Sequence, residues 1–117
     1  MFFASDNAGI VHPKVMDALQ KANTGYASPY GADPAMITVV QQIRDLFEAP
    51  QAAVYLVATG TAANSIILGT LAQPWETVFC ADHAHIQVDE CNAPEFYIGG
   101  GKLTLIDSAD GKFTATD

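Results

Sequence analysis

Basic residues are scarce in this chain: 5 Lys+Arg stand against 13 Asp+Glu, for a net charge of -8. So few cations neither neutralise a phosphate track nor draw the chain to one, which excludes nucleic-acid binding. The same balance disfavours anionic membrane surfaces. Long hydrophobic runs are also missing: a stretch such as Ala52 to Ala58 falls far short of the roughly 20 residues that a membrane span needs. The apolar opening Met1-Phe2-Phe3-Ala4 has no basic flank and is broken by Ser5-Asp6-Asn7, so it does not read as a signal peptide. The reading is a cytoplasmic protein. Cysteine occurs twice, at Cys80 and Cys91, with neither a CxxC pair nor a disulfide framework, which predicts reduced thiols. No GxxxxGK[ST] and no GxGxxG is present, excluding a nucleoside triphosphatase loop and a dinucleotide fingerprint. Repeats and low-complexity tracts are absent. With 117 residues the chain is long enough for one modest domain but not for an eight-fold barrel of about 250 residues.

What is present reads as alternating helix and strand. Pro13 opens a short amphipathic helix to Ala22, with Val15, Met16, Ala18 and Leu19 at helical spacing, and Asn23-Thr24-Gly25 stops it. Tyr26 to Asp33 is an ordered loop rich in Gly, Pro and Ser. Asp33-Pro34 supplies a cap and a first-turn proline for the strongest helix of the sequence, striped by Met36, Val39, Val40, Ile43, Leu46 and Phe47. After Ala49-Pro50, the run Ala53-Val54-Tyr55-Leu56-Val57 predicts a buried strand, because strands covered on both faces are apolar throughout. Thr59-Gly60-Thr61 turns into an uncharged and therefore buried helix from Ala62 to Leu71. Strands are expected at Thr77–Cys80 and Leu103–Ile106. Strand, glycine turn, helix, strand is the grammar of an α/β layered fold. No internal domain boundary is evident: residues 1–50 read as N-terminal helices and loop, 51–117 as the start of a sheet. A parallel sheet of so few strands leaves an open edge, so the chain reads as the front of a larger domain.

Three places carry residues suited to chemistry. Thr59-Gly60-Thr61-Ala62-Ala63-Asn64 joins strand to helix, and helix N-termini offer unpaired N–H groups and about half a positive charge to an anion such as a phosphate. Gly and Thr are also ordinary caps, so this signal is weak alone. Gly99-Gly100-Gly101-Lys102 has the composition of a phosphate loop but leads into a strand, and reads as a turn. Asp82-His83-Ala84-His85 follows a strand. On an extended segment two histidines at i and i+2 point the same way, as a zinc site requires; a flat imidazole there also suits stacking on an aromatic cofactor, and solvated loop histidines are the plain alternative. Ser5 and Tyr30 stand in polar or Gly/Pro-rich segments, as turn former and half-buried aromatic on the simplest reading, with Asp33 as a helix cap.

Together these segments resemble a known family. Ser5-Asp6-Asn7, Tyr30-Gly31-Ala32-Asp33-Pro34, Thr59-Gly60-Thr61-Ala62-Ala63-Asn64 and His85-Ile86-Gln87-Val88-Asp89-Glu90 occur in the order found in the low-specificity threonine aldolase branch of the pyridoxal-phosphate-dependent β-eliminating lyases. The resemblance runs from Phe3 to about Gly111. It implies the N-terminal part of a fold type I large domain, a parallel-rich sheet between helices, cut short of its C-terminal portion. It implies pyridoxal 5′-phosphate as cofactor, an L-threonine- or L-allo-threonine-type amino acid as substrate, and a homo-oligomer, dimer or tetramer, as the full-length parent. Carried over position by position, Gly60 and Thr61 match the phosphate-binding turn, His85 the histidine that stacks on the pyridine ring and assists proton transfer at the substrate's β-hydroxyl, Ser5 a serine on the substrate carboxylate, and Tyr30 an aromatic near the site. Glu90 matches the motif with no role attached, and His83 has no counterpart. The family also carries its cofactor on a lysine, with an acidic partner for the pyridine nitrogen and an arginine for the substrate carboxylate. Those residues lie beyond position 117, and Lys14, Lys21, Lys102 and Lys112 do not match the lysine, so this chain alone is expected to be inactive. Two rival classes stand beside this reading: a metal-dependent hydrolase using His83, His85 and a nearby carboxylate or Cys91, and a non-catalytic interaction fragment pairing through an open sheet edge.

Overall fold

A computed structural model describes residues 8–116. The chain divides into two compact units, Met1–Val54 and Tyr55–Asp117. The first holds α1 (Pro13–Ala22) and α2 (Pro34–Leu46). Both begin with proline, whose missing N–H costs nothing in a first turn. His12 caps α1 through its ring, and Asp33 caps α2 by accepting the Met36 amide at 3.0 Å. After α2 the chain is held by Arg44, whose Nε donates to the Ala52 carbonyl at 2.9 Å. Neither helix contributes a fully buried residue, and the α1 stripe of Val15, Met16 and Leu19 stays exposed.

The second unit contains α3 (Gly60–Leu71), β1 (Thr77–Ala81), α4 (His85–Val88), α5 (Ala93–Tyr97) and β2 (Lys102–Ile106). β1 and β2 pair in parallel, with Thr77 opposite Lys102 and Ala81 opposite Ile106. The ladder continues one residue further through the Asp82 amide, which donates to the Ile106 carbonyl at 3.0 Å. Parallel strands require a crossover, which α4 and α5 supply. The core lies between these elements: Cys80, Ala81, Ile98 and Leu103, with Ser65 of α3 and Pro94 of α5. Helices α3 and α5 pack backbone against backbone, since a Cβ built on Gly69 would stand 2.9 Å from the Tyr97 carbonyl oxygen. A sharp corner precedes α5, where Cys91 (φ 51°) and Asn92 (φ 61°) are both left-handed. No helix among the described residues is long and apolar enough to cross a membrane.

Three expectations are corrected. The apolar run Ala53 to Val57 is not a strand. Strand geometry persists only where N–H and C=O groups find a ladder partner, and among the described residues no strand pairs with this run; Tyr55 is 83% exposed. The strand–crossover–strand unit is therefore β1–α4–α5–β2, one step later in the chain than the sequence pattern indicates. Helix α3 starts at Gly60 and, although uncharged, buries only Ser65 fully; Ile66 and Ile67 remain about half exposed. His83 and His85 do not share an extended segment: His83 sits in a turn and His85 begins α4.

The two thiols differ in environment. Burial pushes the Cys80 thiol up, and the negative charge of Glu95 adds to the effect, whereas Cys91 is exposed. Because the thiolate is the reactive form, Cys91 is expected to react with a disulfide reagent at neutral pH at least roughly tenfold faster than Cys80. Stopped-flow titration of the native chain checks this, and equal rates for both thiols would contradict it.

Candidate active site

The start of α3 is built for exposure of its amides. Thr59, in extended conformation, caps the helix by accepting the Ala62 amide on its hydroxyl at 3.1 Å and the Ala63 amide on its carbonyl at 3.2 Å. That leaves the Gly60 and Thr61 amides, and the Thr61 hydroxyl, without a hydrogen bond among the described residues. Gly60 is not demanded by backbone conformation, and a Cβ built there would meet nothing within 4 Å. Neither packing nor a turn therefore requires glycine at this position.

One turn further along α3, the Asn64 side-chain amide donates to Glu90 Oε1 at 2.7 Å. The same oxygen lies 2.8 Å from His85 Nδ1. Glu90 is 2% exposed, while the His85 side chain is 65% exposed. The second Glu90 oxygen, Oε2, is buried with no hydrogen-bond partner among the described residues. A single buried carboxylate thus ties the first turns of α3 to the imidazole, and the ring keeps Nε2 and much of its surface open. Since a helix rises about 5.4 Å per turn, the free amides of Gly60 and Thr61 stand one turn from the Asn64 end of this linkage.

The other sequence candidates fall elsewhere. His83 Nδ1 pairs with Asp82 at 2.7 Å, and that hydrogen bond holds the Asp82 carboxyl below the usual carboxylate range. The two histidines thus engage different carboxylates, and no group of three or more His, Cys, Asp or Glu able to hold a metal occurs among the described residues. Tyr30 belongs to the first unit, fully exposed and at φ 60° beside Gly31 at φ 74°. Ser5 lies outside the described residues. A hollow of about 530 Å³ lined by Phe79, Ile106, Phe113, Thr114 and Ala115 contains no titratable group. The sequence reading gave Asn64 and Glu90 no role. The available signal was the carboxylate five residues after His85, a spacing that a single turn of helix closes into a contact.

A parallel strand pair with a helical crossover, preceded by a helix with an open N-terminal turn, fits the α/β architecture of the fold type I enzymes. A solved threonine aldolase from Leishmania major shares it: the structures agree with a TM-score of 0.85 at 30% identity over 94% of this chain and 32% of that one. Over residues 3–117 the chain matches the beta-eliminating lyase family, and it belongs to that family. Low specificity L-threonine aldolases from a Pseudomonas species and from Pseudomonas aeruginosa are 41% and 40% identical to it over 112 residues. The chain spans about a third of the length of these relatives, 32% in each case.

Proposed function

We propose that this chain is the N-terminal, cofactor-gripping portion of a pyridoxal-phosphate-dependent aldolase that cleaves β-hydroxy-α-amino acids of the L-threonine type to glycine and an aldehyde. The observation that carries the reading is the shared oxygen of Glu90, which brings His85 to the helix whose first amides are free. The site's chemistry fits the group at two of its ends. The Gly60 and Thr61 amides and the Thr61 hydroxyl suit a phosphate, which the helix dipole also favours. The open imidazole of His85 suits a flat aromatic ring. When bound, the cofactor supplies the electron sink that bond cleavage at Cα requires. His85 Nε2 then holds or moves the proton of the substrate's β-hydroxyl, a general-base role whose removal typically costs 10²–10⁴-fold. The amine that carries the cofactor, the acidic partner of its ring nitrogen and the arginine for the substrate carboxylate belong to the longer protein. Ser5 is assigned to the substrate carboxylate and Tyr30 to an aromatic contact that reaches the cofactor site from a neighbouring subunit of a cytoplasmic homo-oligomer.

Sequencing the reading frame past the codon for Asp117 tests the parentage, with a downstream lysine, aspartate and arginine as the expected result. In the longer enzyme, His85→Ala is expected to lower kcat for retro-aldol cleavage at least roughly 100-fold and to shift the absorbance band of the bound cofactor. An unchanged rate together with an unchanged band would remove His85 from the site. The metal-hydrolase alternative gains no support from His83 and His85, which face separate carboxylates.

A further inference from the structure

We infer that Glu90 is a positioning residue for His85, fixing the imidazole as the Nδ1–H tautomer so that the lone pair sits on Nε2, the nitrogen left open to the site. The inference rests on the proposed function for its catalytic meaning but on geometry for its content. Glu90 Oε1 lies 2.8 Å from His85 Nδ1 and accepts from Asn64 Nδ2 at 2.7 Å. Glu90 Oε1 already accepts from Asn64 Nδ2 and offers the ring a lone pair, not a proton, so the ring nitrogen facing it carries the proton. A neutral imidazole has one donor and one acceptor nitrogen, and Nε2 is then the acceptor.

The arrangement is rigid on its buried side. The Glu90 side chain is fully enclosed and the His85 side chain is not, so the carboxylate is the fixed member and the ring the adjustable one. Asn64 prevents the carboxylate from turning away, because rotation would strip its amide of the acceptor and leave a part-buried donor unmatched. Asn64 also makes the link specific to α3: the helix that offers its first amides to an anion is the helix that sets the ring's tautomer. No other residue named near the ring does this. Asp89, the neighbouring carboxylate, gives its amide to the His85 carbonyl at 3.0 Å and forms no ion pair with the imidazole among the described residues.

The test reads the tautomer directly, on this chain and without cofactor, by long-range ¹H–¹⁵N correlation of the histidine rings at alkaline pH, where imidazoles are neutral. In the unmodified chain His85 is expected as the Nδ1–H form. Glu90→Leu, which removes the acceptor while keeping an apolar side chain of similar bulk, should shift the tautomer ratio toward Nε2–H by roughly tenfold or more, the weight of one hydrogen bond to a charged group. Glu90→Gln keeps an oxygen for both donors and should restore the Nδ1–H form. A folded Glu90→Leu chain with an unshifted ratio overturns the inference. So does an unmodified chain in which His85 is the Nε2–H form, a measurement that stands even where Glu90→Leu fails to fold. His83, tied to Asp82, provides an internal reference that none of these substitutions should move. Since no cofactor is present, failure here leaves the aldolase reading intact, while a longer enzyme that shows the expected tautomer but does not retain pyridoxal phosphate refutes that reading alone.

Discussion

Gly101→Ala is expected to destabilise the second unit by about 2–3 kcal/mol, the upper range for forcing a methyl group into a packed interior. The residue sits where the turn after α5 enters β2. A Cβ built there would overlap Ile98 Cγ2 and stand 2.9 Å from Ile98 Cβ, and Ile98 is 3% exposed. Those atoms lie at the root of a branched, buried side chain, so relief requires the backbone of the turn or of β2 to move. Thermal unfolding followed by circular dichroism should register a drop of roughly 10 °C. Gly60→Ala is the control from the same chain. Its Cβ meets nothing within 4 Å and its position is helical, so alanine there should be neutral or stabilising by up to about 1 kcal/mol. Equal losses from both substitutions would mean that the contact between Gly101 and Ile98 is not what requires glycine.

Gly60→Asp separates folding from ligand binding. A carboxylate in the first turn of α3 complements the helix dipole, a gain of about 0.3–1 kcal/mol, and nothing within 4 Å obstructs its Cβ. The same charge stands against the Gly60 and Thr61 amides, where an incoming phosphate would experience like-charge repulsion worth roughly 3 kcal/mol at an effective dielectric of about 20 and a separation near 5 Å. In the longer enzyme the expected outcome is an unfolding midpoint at or above that of the parent, with retention of pyridoxal phosphate weakened on the order of 100-fold. Equilibrium dialysis against the cofactor, run beside a melting curve, checks both halves. Undiminished retention would remove the α3 turn from the phosphate site.

How much of this was legible in the sequence follows from which interactions are local. The Asp33 cap, the prolines that open α1 and α2 and the stop after α1 depend on residues within four positions of one another, and these agree with the sequence pattern; α3 starts two residues earlier than the pattern predicts, and the short helices α4 and α5 carry no such signal. Strands Thr77–Ala81 and Lys102–Ile106 also announce themselves, because apolar, β-branched runs bounded by turn residues have few alternatives. Ala53 to Val57 carries the same local signal and forms no strand, since pairing is a property of the neighbour as much as of the run. The turn at Gly60 and Thr61 is only a weak signal by itself, because Gly and Thr are ordinary caps; what the sequence does not show is that Thr59 takes the Ala62 and Ala63 amides and leaves those of Gly60 and Thr61 without a partner among the described residues. The link from Asn64 to Glu90 spans twenty-six positions, and no periodicity reports it. His85 illustrates the intermediate case. Its motif singles it out, but an extended segment would point it the same way as His83, whereas the helical turn of α4 brings it to Glu90.

The left-handed corner at Cys91 and Asn92 has a consequence for how this stretch tolerates change over time. Asparagine, aspartate and glycine occupy such backbone readily, whereas a valine or isoleucine would resist it by roughly 1–2 kcal/mol. Because the corner begins immediately after Glu90, such a replacement would swing the neighbouring carboxylate as well as strain the bend. Drift at position 92 is therefore filtered by the geometry of a carboxylate two residues away, and a survey of descendants should find it confined to a narrow alphabet even though its own side chain is exposed.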